Sequence, residues 1–178
     1  CFLNNDKLLE LSLLDNNEIE LEKEPTDIHE LIQEIPKRLA PLLDSNQGNI
    51  ILDLKMKKSI LTVDRDHMYN SLCNLVENSL KYANQPVTIW INTLQKNGVH
   101  IITIKDNGQG IPLAAQPHIF ERFYRVQKKN QYKTKGFGIG LSYVKSIIEA
   151  HKGTISLNPN CKNGCEFIIK LNTQKIKN

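Results

Sequence analysis

Apolar residues recur at helical spacing along the middle of the chain. Turning each residue by about 100° puts Met68, Leu72, Leu75, Val76 and Ala83 on one face. Asn74, Asn78 and Lys81 fall within roughly 60° of one another on a different face. Asparagine is a poor helix-interior residue, because its amide competes for nearby backbone groups. Two asparagines on one face mean either a solvated stripe or a place where amide oxygens are wanted. The helix is expected over 65–82, with Asp64 as its cap and Pro86 ending the region.

The rest of the chain reads as strands and two further helices. Leu3, Leu8, Leu11 and Leu14 make a short helical stripe over 1–16 that looks like the tail of a preceding helix, broken by Asp15-Asn16-Asn17. Residues 18–24 alternate polar and apolar as a strand does, and Pro25-Thr26-Asp27 supplies a turn and an N-cap, with Glu30 three residues on. A helix over 28–43 follows, interrupted by Pro36 and Pro41. Strands are expected over 50–55 and 60–63, and again over 87–94 and 99–105 around the Asn97-Gly98 turn. The stretch 107–136 is mostly irregular and about thirty residues long, a length that marks a functional lid or disorder. A helix over 139–150 ends at Lys152-Gly153, and strands over 154–157 and 166–171 close the domain before a fraying tail.

Composition narrows the function classes. The 178 residues suffice for one domain and an appendage, and 40% hydrophobic with 24% charged residues is ordinary for a globular protein. A net charge of +4 is no nucleic-acid signature, and no apolar run approaches the roughly 20 residues that cross a bilayer. The chain opens on Cys1 and turns polar at once, unlike a secretory leader, which suggests a piece of something longer. Its four cysteines are too scattered for a disulfide framework. Cys73 reads as a small buried hydrophobe, and Cys161 and Cys165 as reduced thiols flanking a Lys-Asn-Gly turn, with a cross-hairpin disulfide as the alternative. A zinc site lacks a second ligand pair.

Two glycine segments carry candidate chemistry. Asp106-Asn-Gly108-Gln-Gly110 follows a strand directly, so backbone can approach a ligand beside a carboxylate acceptor. Gly136-Phe-Gly138-Ile-Gly140 opens a helix, whose N-terminal amides suit an anion. Neither spacing is that of the dinucleotide fingerprint or of a Walker-type phosphate loop. Between them runs Ile119-Phe-Glu-Arg122-Phe-Tyr-Arg125, with aromatics to anchor a loop and arginines to face phosphate.

The order of these pieces resembles the ATP-binding catalytic domain of bacterial sensor histidine kinases, in the superfamily shared with gyrase, chaperone and mismatch-repair ATPases. The resemblance covers roughly 18–172, with 1–17 as the end of the dimerisation helix and 173–178 as the tail. It implies an α/β (α+β) two-layer sandwich: a mixed, mostly antiparallel sheet covered on one face by three helices, with a mobile ATP lid. It implies that Asn78 coordinates Mg²⁺, which takes oxygen ligands, with Asn74 as polar partner one turn earlier. Lys81 would meet phosphate and Tyr82 lie near the nucleotide. Asp106 would accept from the adenine amino group, Gly108, Gly110 and Ile111 pass the base, and Arg125 and Arg122 reach the phosphates. Gly136, Gly138, Ile139, Gly140 and Leu141 would frame the triphosphate.

Hydrolytic members of that superfamily carry a glutamate where this chain has Asn74, and an amide cannot take a proton. Glu77 does not stand in its place. Transfer is therefore expected over hydrolysis, and it needs mainly positioning and charge neutralisation. Asn74, Lys81 and Arg125 are the expected catalytic group. His29-Glu30-Leu31 superficially resembles a phosphoacceptor box but lacks the Arg-Thr-Pro pattern that follows in the family, so the acceptor is expected upstream. The implied partners are the protein's own dimerisation and phosphotransfer domain, a response-regulator receiver and a second copy of the parent, with no nucleic acid. The domain is expected to be cytoplasmic, with membrane contact only through segments of the parent outside this chain. Rival readings are a serine kinase or hydrolytic ATPase of the same fold, or a non-catalytic nucleotide-binding module. The basic run 128–135 is expected to be a solvated loop.

Overall fold

The structure, a computed structural model, describes residues 20–82, 85–126, 137–159, 161 and 163–172. Strand β1 (Lys23–Asp27) leads into helix α1 (Ile28–Arg38), whose first turn is capped where the Asp27 carboxylate accepts from the His29 amide at 2.8 Å. The helix expected over 28–43 is two: α1 stops at Leu39, and α2 (Ala40–Ser45) restarts with Pro41 in its first turn. Pro36 removes an amide donor inside α1, whereas Pro41 sits where the helix has no use for one.

The strand expected over 18–24 is misplaced. Residues 20–22 are irregular and the strand runs over Lys23–Asp27, antiparallel to β3 (Ile60–Asp64) from Lys23 opposite Asp64 to Asp27 opposite Ile60. Contacts distant in sequence set this register: Glu22 N–H donates to Asp64 Oδ2 at 3.0 Å and Ile28 N–H to the Ser59 carbonyl at 3.0 Å. Pro25, read as a turn residue, fits within the strand because, among the described residues, β1 has one neighbour and its other edge is unpaired.

The main sheet has the order β2-β4-β5-β7-β6, comprising β2 (Asn49–Leu54), β4 (Thr88–Lys96), β5 (Val99–Asp106), β7 (Glu166–Asn172) and β6 (Thr154–Leu157). Among the described strands only β2 and β4 pair in parallel, which requires a crossover, and β3 with helix α3 (Arg65–Tyr82) supplies it. The β4–β5 hairpin turns through Asn97 and Gly98 at φ 52° and 76°, the two positive values a two-residue turn of this hand needs. One face of the sheet is buried through Ile89, Ile91, Ile102, Ile104, Phe167, Ile169 and Leu171, while Trp90, Asn92, Ile101, Thr103 and Ile168 on the other are half-exposed. Three helices cover the buried face: α1 through Ile28, Leu31, Ile32 and Ile35, α3 through Met68, Leu72, Leu75 and Val76, and α4 (Gly140–Ala150) through Tyr143, Val144, Ile147 and Ile148. Each such side chain contributes about 1.5–3 kcal/mol on burial. The expected two-layer, mostly antiparallel architecture is the observed one.

Polar contacts fix the two helices that matter most. The Tyr143 hydroxyl meets His67 Nδ1 at 2.9 Å and ties α4 to the start of α3, where Asp64 Oδ1 accepts from the His67 amide at 3.0 Å. Past α4, His151 Nε2 accepts from the Asp64 amide at 2.9 Å and Nδ1 donates to the Ile147 carbonyl at 2.8 Å, so the ring is the neutral Nδ1–H tautomer. Burial holds its pKa below the ordinary histidine value, with Lys23 and His67 acting in the same sense and Asp64 against it. At the end of α4, Lys152 takes the left-handed conformation at φ 58°, and Gly153 is used for closeness: a Cβ there would lie 2.7 Å from the Lys170 carbonyl oxygen.

Candidate functional site

The polar face of α3 is not a solvated stripe. Asn74 is 6% exposed, and its Nδ2 donates to the Asn70 carbonyl at 3.0 Å; Asn78, one turn on, is half-buried. Gly140, the first residue of α4, lies against both. A Cβ on it would stand 3.3 Å from Asn74 Oδ1 and 4.0 Å from Asn78 Nδ2. No described side chain caps α4, and its first internal bond runs from the Tyr143 amide to the Ile139 carbonyl at 3.0 Å. An uncapped N-terminal turn thus sits beside two amide groups, with partial positive charge from the helix end. Ile139 is buried, and Leu141 is half-buried. Lys81 and Tyr82 are exposed at the far end of α3, and Lys81 Nζ is 3.9 Å from Glu77 Oε2.

A second feature forms where β5 ends. The Asp106 carboxylate is 5% exposed and met by three donors: Gly108 N–H reaches Oδ1 at 2.8 Å, Cys165 N–H reaches Oδ1 at 3.1 Å, and the Ser79 hydroxyl reaches Oδ2 at 3.1 Å. Ser79 is the residue after Asn78, so α3 connects the asparagine pair to this carboxylate. The Asp106 amide in turn donates to the Cys165 carbonyl at 2.9 Å. Gly164, at φ +80°, passes so close that a Cβ would fall 1.8 Å from the Asp106 carbonyl oxygen. Asn107 pins the loop to the start of β4 by accepting from the Thr88 amide at 3.0 Å and donating to the Pro86 carbonyl at 2.8 Å. Gly110, at φ +74°, and Ile111 border a cavity of about 320 Å³ shared with Leu157, Cys161, Gly164 and Cys165.

The phenylalanine–arginine stretch and the second glycine segment interlock through backbone. Phe123 N–H donates to the Gly138 carbonyl at 3.0 Å, and a Cβ on Gly138 (φ +73°) would lie 2.8 Å from Phe123 C and 2.9 Å from the Tyr124 carbonyl oxygen. Phe123 itself holds φ 61°, uncommon for an aromatic residue. Phe123 is 66% exposed, Phe137 58% and Leu113 78%, three large apolar residues at the surface. Arg122 is half-buried and Arg125 exposed. Gly136 and the basic run 128–135 lie outside the described residues, as do Ala83 and residues 1–19.

Of the sequence-derived set, the structure brings together Asn74, Asn78, Gly140 and, through Ser79, Asp106. Sequence reasoning missed Ser79, Asn107, Gly164 and Cys165. Only the Asn163-Gly164 pair carried a signal, and it was read as an ordinary turn. Among the described residues Cys73, Cys161 and Cys165 are not joined in disulfides. Among the described residues no group of three or more His, Cys, Asp or Glu side chains could hold a metal; the Asn74 and Asn78 side chains each carry an amide oxygen, a ligand type that suits a hard cation. His29 stands on α1 and is half-buried, with Nε2 at 2.9 Å from the Thr93 hydroxyl.

Comparison with known proteins bears on the family and the fold. Residues 63–175 match the family model described as histidine kinase-, DNA gyrase B-, and HSP90-like ATPase. The chain is 34% identical over 168 residues to the sensor protein RprX of Bacteroides fragilis and 34% identical over 172 residues to the sensor protein kinase WalK of Staphylococcus aureus. It covers 32% and 41% of their lengths, and 93% and 96% of itself is matched. The solved histidine kinase AdeS of Acinetobacter baumannii superposes with TM-score 0.77 at 26% identity, over 95% of this chain and 76% of that one. ThkA, solved in complex with the response regulator TrrA, shares the fold with TM-score 0.73 at 22% identity, over 97% of this chain and 50% of that one. Among the described residues no helix is long and apolar enough to cross a membrane. With a match across well over half its length and the asparagine helix, strand-end aspartate and glycine-opened helix in one site, the chain belongs to the family of histidine kinase-, DNA gyrase B- and HSP90-like ATPases, whose domain binds ATP.

Proposed function

We propose that this chain is the ATP- and Mg²⁺-binding kinase domain of a sensor histidine kinase, which transfers the γ-phosphoryl group to a histidine elsewhere on its parent protein. The observation that carries the reading is the packing of Gly140 onto Asn74 and Asn78, with the Ser79–Asp106 bond one residue further along α3. A nucleotide laid along this line has its base at Asp106 and its phosphates at the uncapped start of α4. Asp106 accepts from the adenine amino group; Gly108, Gly110 and Ile111 pass the base. The α4 amides, with Gly138, Ile139, Gly140 and Leu141 around them, hold phosphate oxygens. Asn78 offers the metal an amide oxygen, and Mg²⁺ when bound neutralises charge on the transferring phosphoryl group. Lys81 at the end of α3, and Arg125 with Arg122 on the facing loop, add positive charge; Tyr82 lies at the rim.

The choice of transfer over hydrolysis rests on Asn74. Its amide is buried, its nitrogen is committed to the Asn70 carbonyl, and it cannot deprotonate a water. The acceptor is placed outside this chain because its five histidines are otherwise engaged: His29 with Thr93, His67 with Tyr143, His118 with Glu121, His151 with Asp64, and His100 in the core. The partners that fit are a phosphotransfer and dimerisation domain of the parent, met by the exposed Leu113, Phe123 and Phe137, and a response-regulator receiver. By the same reading the parent is a homodimer acting on the cytoplasmic side, and nucleic acid is no partner.

Titration with a non-hydrolysable ATP analogue tests the nucleotide part: the chain should bind it with Mg²⁺ dependence, and no binding at millimolar analogue refutes the reading. The parent, given labelled ATP, should form an acid-labile, base-stable phosphoprotein. An acid-stable one reassigns the chain to serine or threonine kinases, and steady phosphate release without labelling reassigns it to ATPases.

A further inference from the structure

Three serines of the two site helices are buried, and one behaves differently. Ser71 donates back to the His67 carbonyl at 2.8 Å and Ser142 to the Ile139 carbonyl at 2.8 Å, the local bonds that helical serines ordinarily make. Ser79 is 3% exposed yet turns away from its helix and donates to Asp106 Oδ2, a residue on another element. We infer that Ser79 is the positioning residue that aims the Asp106 carboxylate and so sets discrimination between 6-amino and 6-oxo purines. The inference rests on the adenine-reading role of Asp106 proposed above.

The argument is one of lone pairs. A carboxylate oxygen accepts about two hydrogen bonds. Oδ1 is filled by the amides of Gly108 and Cys165, so a further donor has to come to Oδ2. There the Ser79 hydroxyl takes one position and leaves one open. The two amides hold a single oxygen, and the Ser79 bond fixes the plane of the group about that anchor. With the plane fixed, the open lone pair has one direction, and it suits an exocyclic amino group. A 6-oxo purine presents an acceptor at the same point, and a carboxylate cannot donate to it. Removing the hydroxyl lets the carboxylate turn and leaves Oδ2 short of a donor in a buried site.

The test uses the 178-residue chain and equilibrium binding of ATP, GTP and the 6-unsubstituted purine ribonucleoside triphosphate. Ser79→Ala is expected to weaken ATP about tenfold while GTP and the 6-unsubstituted analogue change less than about twofold, so the ATP preference itself falls about tenfold. Ser79→Cys, close in size and with a weak S–H donor, is expected to fall between wild type and Ser79→Ala; it carries the test if Ser79→Ala does not fold. Equal weakening of all three nucleotides marks a purely structural serine and overturns the inference. So does an unchanged preference in Ser79→Ala when Asp106→Asn loses it, and the role of Asp106 then stands alone. An Asp106→Asn variant with wild-type preference removes both.

Discussion

Replacing Gly164 with alanine isolates the contact between the β6–β7 connection and the end of β5. The new Cβ would stand 1.8 Å from the Asp106 carbonyl oxygen, 2.6 Å from its carbonyl carbon and 2.9 Å from Oδ1, all atoms that cannot rotate aside cheaply. An L-residue held at φ +80° adds strain of roughly 1–2 kcal/mol, and the forced separation of backbones adds roughly 1–3 kcal/mol, as overpacking does. Gly164→Ala should therefore destabilise the chain by about 2–5 kcal/mol, a fall in melting temperature of about 5–15 °C for a domain of this size. Gly110→Ala is the comparison: φ is similar at +74°, but the nearest atom, the Gly164 carbonyl oxygen, would be 3.1 Å away. It should lose only the conformational part, about 1–2 kcal/mol. Thermal and urea unfolding of both variants give the stabilities, and ATP against GTP binding reports whether the Asp106 carboxylate has moved. If Gly164→Ala costs no more than Gly110→Ala, or stays within about 0.5 kcal/mol of the parent sequence, the two backbones do not cross as described.

Other perturbations read the remaining parts. Asn78→Ala should leave metal-free nucleotide binding nearly unchanged and weaken the Mg²⁺-dependent increment about tenfold or more, measured by titration with and without chelator; an undiminished increment removes Asn78 as a ligand. His151, buried and held below its ordinary pKa of 6.5, refuses a proton that the unfolded chain accepts. Its contribution is therefore fully present above about pH 6.5 and declines as pH falls. His151→Gln should flatten the loss of stability between about pH 7.5 and 5, leaving the slope from His100, which burial shifts in the same direction; an unchanged slope places the acid sensitivity elsewhere. Tyr143→Phe deletes one hydrogen bond to a half-exposed partner and should cost about 0.5–1.5 kcal/mol, against about 3–5 kcal/mol for Tyr143→Ala, in denaturant unfolding.

Where local pattern decided the structure, the sequence was readable. The alternation along 99–105 and the Asn97-Gly98 pair define the β4–β5 hairpin without help from elsewhere, and the apolar stripe from Met68 to Val76 marks α3. Local pattern misled where the partner is distant. Residues 18–24 alternate like a strand, but β1 is chosen by Asp64 and Ser59, which bind Glu22 and Ile28. The site divides in the same way. Asn74, Asn78, Asp106 and the glycines were legible as residue types at family spacings. That Asn74 is buried could not be read, because a polar face looks the same whether water or Gly140 covers it. Ser79 gave no signal, since nothing in a helical serine says whether its hydroxyl turns to its own backbone or to a carboxylate 27 residues away. Gly164 looked like a turn glycine; its reason is the Asp106 carbonyl, visible only after folding.

The reciprocal bonds between Asp106 and Cys165 tie a strand end and a hairpin into one opening unit. The Asp106 amide is held by the Cys165 carbonyl and the Cys165 amide by the Asp106 carboxylate, so neither proton exchanges with solvent until both segments part. Any ligand that binds only the closed arrangement lowers the population of the open one by the factor 1 + [L]/Kd. Amide exchange at Cys165 then slows by that same factor, with no need for the ligand to touch the hairpin. Residues 163–165 thus act as a built-in gauge of occupancy, read at a distance from the phosphates and from the chemistry.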